Sequence, residues 1–322
     1  MKYIDSSFNT LQQYWRNANA AQKILFASGT VLFISMFTHS VALVLTGGSL
    51  HGPTSFRKAI AFAEALGLLC WSVGWMLPYL SLRPRVERFI AMFVAVFAIG
   101  EAFLMTLQVW RGVPSHYNFI TLFDTLVFSA TGIGAIGFAV VTAFLLRVSL
   151  QPSSTPPSIM LSIRAGLLIT LIGATSGMVM SVNAGPTWQG VQALGQRFGP
   201  TPLGRYVGQP EGLVGGNLIV LHALGVHGLQ LLPLVGWLLT YSSLPERARY
   251  RLVGLTAVSV LAFLGVLAVQ AFRGLPLTAF DPVTATALVL AGATALACYV
   301  AAGWYATQGV IKQRMALAIS PT

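Results

Sequence analysis

The stretch from Glu101 to Asp124, EAFLMTLQVWRGVPSHYNFITLFD, gathers an acid, a base, a fixed cation and amide side chains at one helix end and one loop. Glu101 and Gln108 stand in an otherwise apolar run. Arg111, His116, Asn118 and Asp124 follow in a segment that Gly112 and Pro114 break out of helix. Arg111 offers a planar cationic fork suited to a carboxylate or phosphate, His116 a proton acceptor or metal ligand, and Asp124 a negative partner near the start of the next helix. The architectural alternative is that Arg111 pairs with Asp124 or with lipid headgroups.

A second constellation lies in the run GGNLIVLHALGVHGLQLLPLVGWLL, which carries Asn217, His222, His227 and Gln230. Five residues at about 100° each leave His222 and His227 roughly 140° apart on an ideal helix, whereas paired ligands stand at i and i+3 or i+4. A joint site needs a local bulge, for which Gly225 and Gly228 supply the backbone freedom. His39 and Glu64 are further ionisable residues set inside apolar runs, and Arg164 stands about one turn inside the fifth. By rise per residue, His222 lies roughly 6 to 10 Å and Glu101 roughly 12 to 15 Å from the outer ends of their helices. A pocket lined by His39, Glu64, Glu101 and His222 is therefore the expectation.

Two chemistries suit that donor set. In the first, His222, His39 or His116 ligates haem b or a transition metal, with His222 and His116 as the metal candidates. Arg57, Lys58 and Arg111 would neutralise propionates near the surface. In the second, Glu101 and Glu64, the candidate catalytic acids, work with the histidines as the proton-coupled site of a small-molecule transporter. A structural or accessory membrane subunit is the third reading. A carboxylate within a bilayer costs several kcal/mol, on the order of a helix-centre charge, unless paired or protonated, so Glu101 is the residue whose replacement tells most. Taken singly, each of these groups can also be a polar residue that stabilises helix packing.

Composition fixes the elements that must position them. The chain is 55% hydrophobic and 8% charged, with mean hydropathy +0.74; soluble domains carry about 25% charged residues. An all-α polytopic transmembrane bundle follows, with the lipid bilayer as its first partner. The net charge of +11 comes from short basic clusters between apolar runs, which argues against nucleic acid. Eight runs have spanning length: Ile24–Thr46, Ala59–Leu80, Phe89–Val109, Leu126–Leu146, Ile159–Val182, Leu218–Tyr241, Leu252–Phe272 and Val283–Thr307. The expected organisation is an interfacial segment over 1–22, a four-helix half over 23–150 and a Ser/Pro-rich linker over 151–158. A second half over 159–309, with an outer loop over 184–216, and a tail over 310–322 complete it. Arg57, Lys58, Arg111, Arg197, Arg205 and Arg273 fall on one side and the rest of the 19 Lys and Arg on the other. The positive-inside rule then makes both termini cytoplasmic, in the cell inner membrane.

The halves are related. A shift of 162 residues places Gln108-Val-Trp-Arg111-Gly112-Val-Pro114 on Gln270-Ala-Phe-Arg273-Gly274-Leu-Pro276, and Trp75, Tyr79 and Ser81 on Trp237, Tyr241 and Ser243. Each half has an even number of spans, so the two are parallel repeats about an axis along the membrane normal. Glu101, Glu64, His222 and His227 map to Phe263, Val226, Ile60 and Ala65, so the shared scaffold does not require them.

Cys70 and Cys298 fall in apolar runs and read as small buried hydrophobes. Phosphate loops, CxxCH, HExxH and the serine nucleophile elbow are absent. The stretches NLIVLHALGVHGLQLLPL, RGVPSHYN with its following Phe-Asp, and GPTSFRKAIAF resemble a bacterial multi-pass membrane family. The resemblance implies a fold and no activity.

Overall fold

The computed structural model describes residues 13, 15–48, 50, 54–116, 118–193 and 218–319, with the backbone alone over 181–193 and 316–319. The described residues are helical with no strand. They form α1 (Ala20–Thr46), α2 (Phe56–Met76), α3 (Pro84–Trp110), α4 (Leu122–Ser149), α5 (Pro157–Ala193), α6 (Ile219–Val226), α7 (Gly228–Thr240), α8 (Glu246–Phe272) and α9 (Pro282–Ile319). Seven of these are long and apolar enough to cross a membrane, and α6 with α7, bent by 40° at their junction, makes up to eight. The chain is thus a multi-pass helical membrane protein.

Local sequence sets the helix ends. Asn19 begins α1 with a reciprocal cap: its side chain accepts the Gln22 amide at 2.9 Å, and its own amide donates to Gln22 Oε1 at 3.1 Å. Ser55 caps α2, Pro84 supplies the pre-set first turn of α3, and Gly47 ends α1 at φ +59°. α5 runs to Ala193, so residues 184–193, expected as the start of an outer loop, continue the helix. Extending a formed helix adds one hydrogen bond per residue fixed, which lets it outrun its apolar stretch.

Two compact units divide the chain, Met1–Ser115 and His116–Thr322. In the first, α1, α2 and α3 pack mutually. Glycines set the approach of α1 to α2: a Cβ on Gly29 would stand 2.9 Å from the Gly67 carbonyl, and Trp71 Nε1 donates to Phe26 O at 3.1 Å. Asn19 Nδ2 ties α1 to α3 by donating to Glu87 Oε1 at 2.8 Å.

In the second unit, α5 packs against α4, α6, α7 and α8, while α9 packs on α8 and α7. Ile169, Leu221, Leu232, Val260 and Leu264 form its main apolar core. The basic residue inside α5, Arg164, turns its guanidinium onto the last turn of α4, where Nε and Nη2 donate to Ser149 O at 2.8 and 2.6 Å. A cation there offsets the orphan carbonyls and the negative end of the helix dipole.

The aligned Arg-Gly turns take the same form in each unit. Gly112 has φ +68° and Gly274 φ +69°. Val113 N donates to Gln108 O and Leu275 N to Gln270 O, at 3.1 and 3.2 Å, and the glycine amides reach Val109 O and Ala271 O, both at 3.0 Å. That pair of bonds is the Schellman ending, which needs a left-handed residue that glycine adopts without a Cβ penalty. Trp75 and Tyr79 make a ring pair at 4.8 Å, and Trp237 and Tyr241 one at 5.3 Å.

Candidate functional site

His39 lies in α1 with 6% of its surface exposed, and both ring nitrogens are engaged. Nδ1 is 2.7 Å from the Ser35 carbonyl oxygen, an acceptor only, so that nitrogen carries the proton. Nε2 then accepts the indole N–H of Trp110 at 3.1 Å. Phe56 and Trp110 enclose the ring, with His39 centroid distances of 6.2 and 6.3 Å. A metal or haem iron at His39 would have to displace one of these bonds. Nothing in the sequence singled out Trp110 as the partner; a Trp at a helix end needing an acceptor for its N–H is the signal that was there.

Glu64 in α2 and Glu101 in α3 are half-buried. Among the described residues, neither has a hydrogen-bond or ionic partner, and no Lys or Arg reaches them. Arg57 Nε donates to Leu50 O at 2.9 Å and Lys58 Nζ to Ser115 Oγ at 3.4 Å, so both cations are anchored at the same end of the first unit. Arg111, the residue that caps the C-terminal end of α3, donates through Nη1 to the buried Gln108 Oε1.

The remaining sequence-selected residues belong to the second unit. His116 packs its ring 6.0 Å from Phe128, which meets Phe119 edge-on at 5.2 Å. Asn118 is buried and its side chain accepts the Ile120 amide at 3.3 Å, a local turn that fixes the loop. Asp124 is also buried and accepts the Thr121 hydroxyl at 2.7 Å, in the first turn of α4. Asp281, the residue before α9, accepts the amides of Val283 and Thr284, both at 3.0 Å, and pairs with Arg273 at 2.5 Å. The hydrogen bond from Arg273 is the first cause holding the Asp281 carboxyl well below the usual carboxylate range. Asn217 lies outside the described residues.

In the second unit the broken span packs closely on α5. α5 presents Gly166, Thr170, Gly173 and Gly177 at spacings of four, three and four, one face of a helix. Gly173 meets Gly225 backbone to backbone, and a Cβ on Gly228 would stand 2.6 Å from the Gly166 carbonyl. This approach lets Thr170 Oγ1 accept the Leu229 amide at 3.0 Å, replacing a helical bond lost at the break. His222 Nδ1 lies 2.8 Å from Gly173 O and therefore carries the proton. A Cβ on Gly177 would stand 2.8 Å from His222 Cε1, so the ring occupies a space that glycine leaves. His227 ends α6 and starts α7 with backbone φ −85°, ψ 7°. Its carbonyl accepts the Gln230 and Leu231 amides at 2.9 Å, and its half-buried ring has no hydrogen-bond partner among the described residues. The break thus replaces the local bulge that a joint His222–His227 site required and leaves the two rings in different roles. Gln230 follows in the first turn of α7.

Among the described residues, no three of His, Cys, Asp and Glu come together as a metal-binding group. No family model matches the chain, and no curated protein or solved structure matches it.

Proposed function

We propose that the protein carries a small polar solute across the membrane and that His227 is the group that takes up and releases the coupled proton. The observation that supports this is the break in the span at His227. That residue stands nine positions from Leu218, about 13 Å along a helix, close to the middle of a bilayer core of about 30 Å. Interrupted helices persist in hydrocarbon only where protein or a polar cavity surrounds them, and discontinuous spans hold the substrate and ion sites of many transporters. An ionisable ring with no hydrogen-bond partner among the described residues, set at such a point, has water, a proton or a ligand to bind. Glu101, nine residues from the end of α3, is the second proton-carrying group of this reading.

The test is proton flux into proteoliposomes that trap a pH-sensitive dye, driven by pooled amino acids, sugars or organic acids under an imposed pH gradient. One pool should accelerate acidification with the wild-type protein, and His227→Gln and Glu101→Gln should fall to the rate of empty vesicles. Wild-type flux in both variants would remove the reading.

One observation favours haem b as the second reading. His222 donates Nδ1–H to a backbone carbonyl, the arrangement that orients ligating histidines and makes Nε2 the ligand nitrogen. Haem-replete expression followed by visible spectroscopy separates the two, because a Soret band lost in His222→Ala belongs to this reading alone.

A further inference from the structure

A groove of about 420 Å³ runs along the last turns of α9 where they cross the end of α7, between Leu238, Ala306, Val310 and Ile311. Tyr241, Thr307 and Arg314 complete its wall. The crossing is tight because α9 carries Gly309 at the contact, where a Cβ would collide with the Tyr241 carbonyl. From Ala306 to Arg314 the slot follows eight residues of helix, about 12 Å. It is apolar along its length and ends in a guanidinium.

Charge and depth both identify an occupant. The end of the second unit that holds the groove carries Arg247, Arg249, Arg251, Lys312 and Arg314 against Glu246, whose carboxylate already accepts the Ser158 amide at 2.7 Å. Arg249 is turned inward to Ser242 O at 2.7 Å, whereas Arg314 is exposed and has no ionic partner among the described residues. Trp237, Tyr241 and Trp304 are exposed on the same helices by 40%, 46% and 63%, the aromatic girdle that marks the headgroup level of a bilayer. A slot lined by aliphatic side chains, opening at that level and capped by a cation with no ionic partner among the described residues, has the form of an anionic amphiphile.

We infer that this groove is a binding site for an anionic phospholipid of the surrounding leaflet, with one acyl chain along Leu238, Val310 and Ile311 and the phosphate on Arg314. The experiment is native mass spectrometry of the full-length protein in a zwitterionic detergent, titrated with phosphatidylglycerol, phosphatidylcholine or inorganic phosphate. Phosphatidylglycerol should be retained as a single tight adduct and phosphatidylcholine should not. Arg314→Gln should weaken that adduct about five-fold, the scale of one basic residue at an anionic surface. Thr307→Trp, at an exposed position that fills the slot, should remove it. Lys312→Gln, which deletes the same charge outside the groove, should leave it intact. Equal losses in Arg314→Gln and Lys312→Gln would overturn the site in favour of diffuse attraction. Equal retention of phosphatidylcholine, or competition by inorganic phosphate at equal concentration, would overturn the phospholipid as occupant.

Discussion

At the scale of single residues, His39 shows how an intramembrane histidine can be fully used by packing. Its imidazole spends one nitrogen on the Ser35 carbonyl and the other on the Trp110 indole. Trp110→Phe keeps the aromatic contact and removes the donor, so a buried acceptor is left unmade at a cost of about 1–3 kcal/mol. Thermal unfolding in detergent should register that loss. The double variant His39→Leu/Trp110→Phe should recover part of it, because removing both partners leaves no unpaired group. The Arg273–Asp281 pair makes a pH prediction. The folded carboxyl titrates below its unfolded value of about 3.9, so its stabilisation is complete above that pH and is lost as the solution is acidified through the folded value. Unfolding followed from pH 5 downward should show a steeper loss in wild type than in Asp281→Asn. The difference should shrink at high salt, because the pair is solvent-exposed.

At the scale of elements, α6 and α7 are a single span that the second unit holds broken. The glycine face of α5 keeps it so, coming close enough for Thr170 to accept the Leu229 amide. Thr170→Val preserves shape while leaving that buried N–H without an acceptor, which should destabilise the protein by about 1–3 kcal/mol. Amide exchange at Leu229, followed by mass spectrometry, should accelerate in this variant while exchange in α8 stays unchanged. Unchanged exchange at Leu229 would show that the hydroxyl does not hold the break. The same glycine face explains why His222 and His227 diverge, since α5 captures one ring with the Gly173 carbonyl and leaves the other at the junction.

At the scale of the whole molecule, the distribution of Lys and Arg predicts which ends of the helices face the cytoplasm. Ser153 joins α4 to α5 and Thr278 joins α8 to α9, and both positions are exposed. The native Cys70 and Cys298 are buried and give little background. Single cysteines at the two positions, labelled from outside intact cells with an impermeant maleimide, should report Thr278→Cys and not Ser153→Cys. The opposite pattern would reverse the orientation.

The sequence by itself determined the class, the spans and the turns that end them. Runs of about 20 apolar residues have one solution in a bilayer, because every backbone amide must be satisfied within its own helix. The aligned Arg-Gly dipeptides were legible for a similar reason: a left-handed residue closing a helix needs glycine, and both take φ near +68°. The roles of the histidines were not legible. His39, His222 and His227 look alike in sequence, each an imidazole among apolar neighbours. Only the helix opposite decides which finds an indole, which a carbonyl and which stands at a break. Tertiary structure made those assignments because hydrogen-bond partners across a helix interface are fixed by how closely two backbones approach, and here glycines on α5 set that distance.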